Sequence, residues 1–254
     1  MLTISDFDGL CVVLVSTRNP LNIGAVARAM SNLGFLRLRV VNPYEASFRE
    51  ARSAVGAAPL LAKTEQYSSV AEAVADCSLV IGTTAVGNRE LHHPLKLLNE
   101  AAPLVRKRLH AGGRVALLFG SEKRGLANDD LTHCHWLLHI PTREEHTSMN
   151  LGQAVAVCLY ELARSSGAGG NRSNSKAMSK TKTPKPATSA ELERITTMLI
   201  DALHASGYLG ERSVAAKEEK IRRMVRRLEL SSADAEVWLG MLRQMLWKMK
   251  PPGR

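Results

Sequence analysis

Residues 115–125 read VALLFGSEKRG, an apolar run of strand length that ends in a loop bounded by two glycines. Gly120 and Gly125 permit positive φ angles and a close approach of the backbone to a ligand. The loop is not a dinucleotide fingerprint, because the central glycine of G-x-G-x-x-G is missing. It is not a P-loop either, because no Gly-Lys-Ser/Thr follows. Taken alone, it fits a binding loop and an ordinary strand-to-helix turn equally well.

Similar short apolar runs occur along the first two thirds of the chain and predict five strands, at 10–15, 36–41, 78–83, 114–119 and 136–140. Helix-length stretches lie between and after them, at 23–33, 68–75, 94–109 and 150–162. Strands that alternate with helices favour a parallel sheet with helices on both faces. We therefore predict one α/β domain over residues 1–164.

Two other polar motifs also follow predicted strands. NIGAVAR occupies residues 22–28, and Pro141-Thr142 precedes the stretch TSMNL at residues 147–151. The loops at the carboxyl ends of parallel strands gather at one edge of a sheet, where ligands bind. The three motifs are therefore expected to line a single pocket, which indicates an enzyme.

The front motif places Asn22 at the start of a predicted helix and Arg28 nearly two turns later. The apolar stripe of this helix is formed by Ile23, Val26, Ala27 and Met30. We expect Arg28 on or beside the buried face, although a surface arginine whose stem passes over the core fits equally well. Ser148 and Asn150 lie where the last helix of the domain begins. Both are favoured N-caps, so a structural role is the default for one of them.

The 254 residues carry a net charge of +10, which favours a polyanionic partner, nucleic acid before membrane. Residues 1–164 hold 17 basic and 15 acidic side chains, whereas residues 165–254 hold 17 and 9, so the excess lies in the last third. The four cysteines form no C-x-x-C pair, and no apolar stretch approaches the roughly 20 residues of a membrane span. We expect a cytoplasmic protein with reduced thiols, no metal and no membrane association.

Residues 165–189 are rich in Ser, Gly, Lys, Thr and Pro, with five basic residues and no acidic one, which predicts a flexible basic linker. Thr188 and Glu191 have the spacing of a capping box, and apolar residues follow at helical intervals. Three amphipathic helices predict a small all-α domain over residues 190–254. Its cations are candidate phosphate contacts, with a solvated face held by i,i+4 ion pairs as the alternative.

Together, N-x-G-x-x-x-R, F-G-x-E-x-x-G-L and S-x-N-L, each after a strand, resemble the SPOUT superfamily of RNA methyltransferases. Within it, the chain is most similar to the bacterial enzymes that methylate the ribose 2′-hydroxyl of cytidine or uridine at anticodon-loop position 32 of tRNA. The resemblance covers residues 10–164, and the helical tail matches in order and size. It implies an α/β fold with a C-terminal trefoil knot, S-adenosyl-L-methionine as cofactor, tRNA as substrate and a homodimer.

The resemblance also implies roles for individual residues. Arg28, with Asn22, Ser148 and Asn150, would form the catalytic group. Because arginine stays protonated in proteins, we expect Arg28 to act as a fixed cation that stabilises the developing alkoxide or positions the adjacent phosphate. The cofactor pocket would be lined by Thr83, Thr84, Ala85, Gly120, Glu122, Gly125, Ile140, Ser148, Met149, Asn150 and Leu151.

Basic residues outside this pocket are candidate RNA contacts: Arg18, Arg89, Lys217, Arg222, Arg223, Arg226 and Arg227. Enzymes of this kind place several arginines just after the third predicted strand, whereas this chain has only Arg89 there, at a shifted spacing. The difference concerns the RNA contacts and the choice of target, and it leaves the cofactor pocket unaffected.

Several alternatives remain open from the sequence. One alternative keeps the chemistry but has ribosomal RNA or another tRNA position as the target. A second is a non-catalytic RNA-binding protein with a vestigial pocket. A nucleotide-dependent dehydrogenase is disfavoured by the missing glycine fingerprint. A zinc site is suggested by the neighbouring ligand types in His133-Cys134-His135. No third and fourth ligands follow at the usual spacing, so histidines with a packing role are favoured.

Overall fold

The computed structural model describes residues 7–44, 47, 50–51, 58–85, 92–143, 145, 147–164, 184–209 and 214–249. At the centre of this part lies a sheet of seven strands: β1 (Leu10–Val15), β2 (Arg37–Val41), β3 (Glu65–Tyr67), β4 (Leu79–Thr83), β5 (Leu95–Leu97), β6 (Val115–Phe119) and β7 (Trp136–His139). Their order is β3-β2-β1-β6-β4-β7-β5, and every neighbouring pair is parallel. The predicted parallel α/β sheet is confirmed.

The five predicted strands all form, and β3 and β5 are additional. Each has three residues and lies at an edge of the sheet, and neither is an unbroken apolar run. An edge strand has one side open to solvent, so it can carry polar side chains such as Glu65 and Lys96. A search for buried apolar runs therefore does not find these two strands.

Nine helices accompany the strands in the described residues: α1 (Pro20–Leu33), α2 (Ala58–Ala62), α3 (Val70–Ala73), α4 (Leu98–His110), α5 (Asn128–Thr132), α6 (Leu151–Ala163), α7 (Ser189–Ala205), α8 (Val214–Arg226) and α9 (Ser232–Met249). None of them has both the length and the apolar character that a membrane crossing requires. The prediction that Asn22 starts the first helix is wrong. Asn19 caps α1 by accepting from the Leu21 amide, and Pro20 takes the first helical position. Asn22 is buried within the first turns.

The sheet is buried on both faces, because successive side chains of a strand point to opposite sides. On one face, Leu10, Val12 and Leu14 of β1 belong to a core with residues of α1, α4 and α6. On the other face, Cys11 and Val13 belong to a second core with residues of α3 and α5. Burial on both sides explains the near-continuous apolar runs of the central strands, and it leaves the strand ends as the place for polar loops.

The last three helices enclose a separate apolar cluster, formed by Ala187, Leu192, Ile195, Val225, Ala235, Leu239 and Leu242. α7 begins at the predicted capping box. The Glu191 amide donates to the Thr188 hydroxyl at 3.2 Å, and the Thr188 amide donates to Glu191 Oε2 at 2.6 Å. The predicted divisions at residues 164 and 189 stay predictions, because residues 165–183 lie outside the described part of the chain.

The C-terminal helices also contact the α/β part of the chain. The Ser189 amide donates to the Cys77 carbonyl at 2.8 Å, and the Ala190 amide donates to the Ala75 carbonyl at 3.0 Å. In addition, α7 contacts α3, and α8 packs against α5. The start of α7 is therefore bonded directly to the loop that precedes β4.

A buried ion pair lies at this contact. The Arg226 side chain is 1% exposed, and its guanidinium donates to Glu193 Oε2 at 2.8 Å and to the Ser189 carbonyl at 3.2 Å. His133, at the end of α5, approaches the same carboxylate with its Nδ1 at 3.8 Å. We call this contact of Glu193, Arg226 and His133 the docking seam.

Candidate active site

The three polar motifs meet through side-chain hydrogen bonds at the carboxyl edge of the sheet. Asn150 Nδ2 donates to Asn22 Oδ1 at 2.9 Å, and Asn22 Nδ2 donates to Glu122 Oε1 at 3.1 Å. Asn150 lies 128 positions from Asn22 along the chain, and Glu122 lies 100 positions from it. The sheet therefore brings together one residue from each motif, as the sequence predicts.

Glu122 is the acceptor on which this network ends. Besides Asn22, the backbone amides of Asn19 and Arg18 donate to its carboxylate, at 3.2 and 3.5 Å. Partial burial raises the pKa of Glu122, but the hydrogen bonds from Asn22 and the backbone amides outweigh this effect, and the net pKa is below the usual range. A carboxylate held in this way is a poor proton acceptor and a good fixed acceptor of hydrogen bonds.

The loop after β6 is a tight turn that requires both of its glycines. The Gly125 amide donates to the Ser121 carbonyl at 2.8 Å. A Cβ on Gly120 would lie 2.0 Å from the carbonyl carbon of Gly125, and Gly125 itself has φ of +65°. Residue types with a Cβ do not fit the first position and are strained at the second. The backbone of the loop therefore folds closely back on itself where it presents Glu122.

A cavity of about 620 Å³ lies between the loops after β4, β6 and β7. We call it the asparagine cavity, because Asn22 and Asn150 belong to its wall. The eleven residues predicted for the cofactor pocket all line it: Thr83, Thr84, Ala85, Gly120, Glu122, Gly125, Ile140, Ser148, Met149, Asn150 and Leu151. Its volume is in the range of small-molecule sites, about 300–1,000 Å³.

Sequence reasoning did not assign several residues of this wall to the site, including Leu138 and His139, whereas Thr142 and Thr147 belong to the third predicted motif. His139 Nδ1 lies 3.2 Å from the Thr84 carbonyl, which ties the end of β7 to the loop after β4. Leu138 and His139 lie at the end of the strand predicted at 136–140, next to the predicted pocket residue Ile140. Their position at the carboxyl end of a parallel strand was therefore the signal that could have found them.

Asn150 has two functions in the structure. Its Oδ1 caps α6 by accepting from the Gly152 and Gln153 amides at 2.9 and 3.3 Å, while its Nδ2 donates to Asn22. The structural role expected for one of the two candidate caps belongs to Asn150. Ser148 is exposed and contributes to the cavity wall.

A second cavity, of about 960 Å³, shares the turn from Ser121 to Gly125 with the first. Its other walls are the segment after β1, from Val15 to Asn19, and the start of α5. We call it the basic cavity, because Arg18, Lys123 and Arg124 line it. The predicted RNA contact Arg18 therefore lies beside the turn that carries Glu122.

Arg28 does not lie where the sequence pattern placed it. The apolar stripe of α1 is buried as predicted, but Arg28 is exposed and lines neither cavity. At 100° per residue, position 28 falls on the same side of the helix as Leu21 and Ala25, which are also exposed. The expectation of a buried-face arginine is wrong, and the alternative of a surface arginine is the one the structure shows.

The predicted RNA contacts on α8 divide into two groups. Lys217 and Arg227 are exposed. Arg226 is buried in the docking seam, and Arg222 Nε donates to Glu193 Oε1 at 3.1 Å. Arg223 pairs with Glu219 at 3.4 Å, the predicted i,i+4 ion pair. An RNA role for Arg226 is therefore corrected to a structural one, because its charge is already paired away from solvent.

Arg89 and the segment His133-Cys134-His135 are the remaining features that the sequence analysis singled out. Arg89 lies outside the described residues. His133 and Cys134 are buried, and His135 is half-buried and uses its Nδ1 to accept from the Val80 amide at 3.1 Å. Within the described residues, no group of three or more His, Cys, Asp or Glu side chains is arranged to hold a metal ion.

A parallel sheet with a ligand-sized cavity between the loops at its carboxyl edge places the protein in the class of open-sheet α/β proteins that bind a small ligand at this edge. The family follows from comparison with known sequences. The sequence model of the SpoU rRNA Methylase family matches residues 9–160, and the chain belongs to this family. The match runs from β1 into α6 and includes all three motifs.

Relatives extend the similarity beyond this region. The tRNA (cytidine/uridine-2'-O-)-methyltransferase TrmJ of Salmonella typhimurium LT2 is 34% identical over 232 residues, which are 91% of this chain and 93% of the relative. The tRNA (cytidine/uridine/adenosine-2'-O-)-methyltransferase TrmJ of Pseudomonas aeruginosa is 40% identical over 156 residues, 61% and 60% of the two chains. The crystal structure of TrmJ from Z. mobilis ZM4 superposes with a TM-score of 0.77 at 28% identity, covering 92% of this chain and 98% of that one.

Proposed function

We propose that this protein transfers a methyl group from S-adenosyl-L-methionine to a ribose 2′-hydroxyl of tRNA. The observation that carries this proposal is the hydrogen-bonded chain from Asn150 through Asn22 to Glu122, inside a cavity lined by all eleven predicted cofactor residues. Membership of the SpoU family and similarity to TrmJ enzymes over more than nine tenths of the chain support it. Cytidine or uridine at anticodon-loop position 32, and a cytoplasmic location, complete the proposal.

The asparagine cavity fits the proposed cofactor in size and in the character of its walls. Leu138, Ile140 and Leu151 offer apolar surface for a flat heterocycle, while the ends of β4, β6 and β7 offer backbone groups. Thr83 Oγ1 donates to the Leu118 carbonyl at 2.8 Å, so the end of β4 is held against β6. When bound, S-adenosyl-L-methionine supplies a sulfonium methyl group that is already activated for transfer.

The residues of the chain would then position the acceptor and stabilise its charge. Holding a ribose hydroxyl in line with the methyl group lowers the barrier by several kcal/mol through orientation alone, on the order of the effects measured for intramolecular reactions. Glu122 keeps the cavity wall in place and is unsuited to accept the proton, because its carboxylate already receives hydrogen bonds from Asn22, Asn19 and Arg18. A fixed cation such as Arg28 would stabilise the alkoxide that develops.

The exposed position of Arg28 supports the homodimer. The outer face of α1 carries Leu21, 79% exposed, and the neighbouring α6 exposes Val157 and Tyr160, at 37% and 61%. Arg28 belongs to this apolar surface, which we call the α1–α6 face. We propose that a second copy covers it, so that Arg28 enters an interface next to the cavities instead of acting from open solvent. The trefoil knot implied by the SPOUT resemblance belongs to the same proposal.

The dimer can be tested through the oligomeric state. Sedimentation of the full chain should give the mass of a dimer, and Tyr160→Glu should shift it to the monomer, because a charge in an apolar interface is costly. Tyr208→Glu is the matched control, since Tyr208 is 72% exposed on the helical part. A monomeric wild-type protein would overturn the proposed dimer.

Activity can be tested with two tRNA transcripts that differ by one oxygen atom. The protein, labelled S-adenosyl-L-methionine and an unmodified transcript should yield 2′-O-methylcytidine or 2′-O-methyluridine by nucleoside mass spectrometry. A transcript with a 2′-deoxy nucleotide at position 32 should not be methylated. Methylation of both transcripts would move the target to another position, and methylation of ribosomal RNA alone would support the alternative substrate. Cofactor-free tRNA binding, with no heat on titration of S-adenosyl-L-methionine, would favour the non-catalytic RNA-binding protein.

A further inference from the structure

The proposed cofactor site does not account for the basic cavity. At about 960 Å³ it is larger than the asparagine cavity, and the two share the turn from Ser121 to Gly125 as a common wall. Glu122 fixes this wall by accepting from the Arg18 and Asn19 amides. A ligand in one cavity would therefore lie directly beside a ligand in the other.

The acidic side chains that line the basic cavity have hydrogen-bond partners within the protein, whereas the basic ones do not have them among the described residues. Glu122 receives three hydrogen bonds, and Asp130 Oδ2 accepts from the Ala127 amide at 2.8 Å as the cap of α5. In contrast, none of the described residues forms a hydrogen bond or ion pair with the side chains of Arg18, Lys123 or Arg124, and all three are exposed. The carboxylates of Glu122 and Asp130 thus already accept hydrogen bonds from the protein, while the three cations are available to bind an anion.

We propose that the basic cavity binds the phosphate backbone of the RNA next to the target nucleotide, through Arg18, Lys123 and Arg124. This inference rests on the proposed function. Guanidinium groups bind phosphate oxygens in pairs, and lysine adds a point charge. Contacts of this kind fix the position of a nucleic acid without reading its sequence. The backbone in this cavity would hold the neighbouring ribose at the shared wall, opposite the proposed cofactor.

The packing of the helical part supports this placement. α8 packs against α5, and Asn128 and Asp130 of α5 line the basic cavity. The exposed cations Lys217, on α8, and Arg227, directly after its last residue, therefore belong to a segment that neighbours the same cavity. A polyanion that entered the cavity would have further positive charge near its path, which strengthens non-specific attraction.

The proposal separates RNA binding from cofactor binding and can be tested on that basis. The triple variant Arg18→Ala, Lys123→Ala, Arg124→Ala should bind an unmodified tRNA transcript at least about tenfold more weakly. The slope of log K against log salt should fall by about 1 for each phosphate that the variant no longer neutralises. The KM for tRNA should rise accordingly, while the affinity for S-adenosyl-L-methionine should change much less than the affinity for tRNA, although Lys123 and Arg124 also belong to the wall that the two cavities share. Lys63→Ala, which removes an exposed charge near the β3 edge of the sheet, is the control and should change none of these.

The outcomes distinguish this inference from the proposed function. If the wild-type protein transfers no methyl group, the proposed function is wrong, but the binding comparison between the triple variant and Lys63→Ala still decides on the cavity. An unchanged tRNA affinity and salt slope in the triple variant would overturn the inference even in an active enzyme. Loss of cofactor affinity in place of tRNA affinity would overturn it as well, because the cavity would then belong to the cofactor.

Discussion

The basic cavity and the docking seam both gather arginine side chains, yet they treat charge in opposite ways. In the cavity, Arg18 and Arg124 are exposed and form no ion pair with any described residue. In the seam, Arg226 is buried and pairs with Glu193 at 2.8 Å. A cation that binds an external anion is exposed to solvent, whereas a cation that joins two parts of one chain is buried and paired with an anion of the same chain.

This contrast changes how the basic C-terminal region is understood. The sequence concentrates cations on α8, which is typical of a nucleic-acid contact. Three of the five predicted contacts on this helix instead pair with Glu193 or Glu219. The cations of the cavity loops are fewer, but no described residue forms a hydrogen bond or ion pair with their side chains. Accessible and unpaired charge, and not the local density of basic residues, is the better guide to a phosphate site.

The largest effect is expected from breaking the seam. Glu193→Ala would leave Arg226 buried without its carboxylate and would also unpair Arg222, so the free energy of unfolding should fall by about 3–5 kcal/mol. Urea unfolding followed by tryptophan fluorescence would measure this decrease. The control is Glu218→Ala, because Glu218 pairs with His204 at the surface, where a pair contributes about 0–1 kcal/mol. Equal decreases in the two variants would show that burial of the seam has no energetic consequence.

Much of the α/β part could be predicted from the sequence because its signals are local. A run such as 115–119 is apolar on both sides and ends in a glycine turn, so the strand, its burial and the loop follow from neighbouring residues. The same logic placed the three motifs at one pocket, since ligand loops lie at the carboxyl ends of parallel strands, whereas the eleven individual residues of the asparagine cavity were implied by the SPOUT resemblance. Edge strands β3 and β5 lack that signal.

The remaining features depend on contacts between distant segments. Arg28 is an exception: the apolar stripe of α1 predicts it on or beside the buried face, but 100° of rotation per residue already puts it on the outer face of the helix. The pairing of Arg226 with Glu193 depends on how α8 packs against α7, and the approach of His133 to that carboxylate depends on how α7 meets the α/β part. No periodicity within one helix contains that information, so both outcomes required the three-dimensional structure.

The next largest effect is expected from the exposed cation of the α1–α6 face. Arg28→Ala should lower the rate of methyl transfer by about 100- to 1,000-fold, the usual decrease when a group that stabilises developing negative charge is removed. Cofactor affinity should stay within a few-fold, because Arg28 lines neither cavity. Single-turnover kinetics and calorimetric titration would measure the two quantities. A parallel decrease of rate and cofactor affinity would assign Arg28 a structural role.

A smaller effect is expected from the amide that links two motifs. Asn150→Ala removes the cap of α6 and the hydrogen bond to Asn22, so we expect a decrease of about 1 kcal/mol in stability and roughly tenfold in cofactor affinity. Asn150→Ser is the matched control, because serine can cap the helix but cannot donate as the amide does. It should restore the stability and leave the affinity reduced. If serine restores both, the link between Asn150 and Asn22 does not contribute to the cofactor site.

The smallest effect concerns pH and returns to the seam. Burial, and then the charge of Arg226, lower the pKa of His133 to about 4, although Glu193 acts in the opposite direction. The folded chain therefore keeps His133 neutral, while the unfolded chain binds a proton near pH 6.5, so stability should fall as the pH drops from about 7.5 to 5.5, by about 1 kcal/mol for this residue. His93 and His135, whose pKa values burial also lowers, to about 4 and about 3, act in the same direction. His133→Gln should remove about a third of the pH dependence measured by urea unfolding. A pH dependence that is identical in wild-type and His133→Gln proteins would mean that His133 binds its proton equally well in the folded and unfolded chain, so that the seam does not keep it neutral.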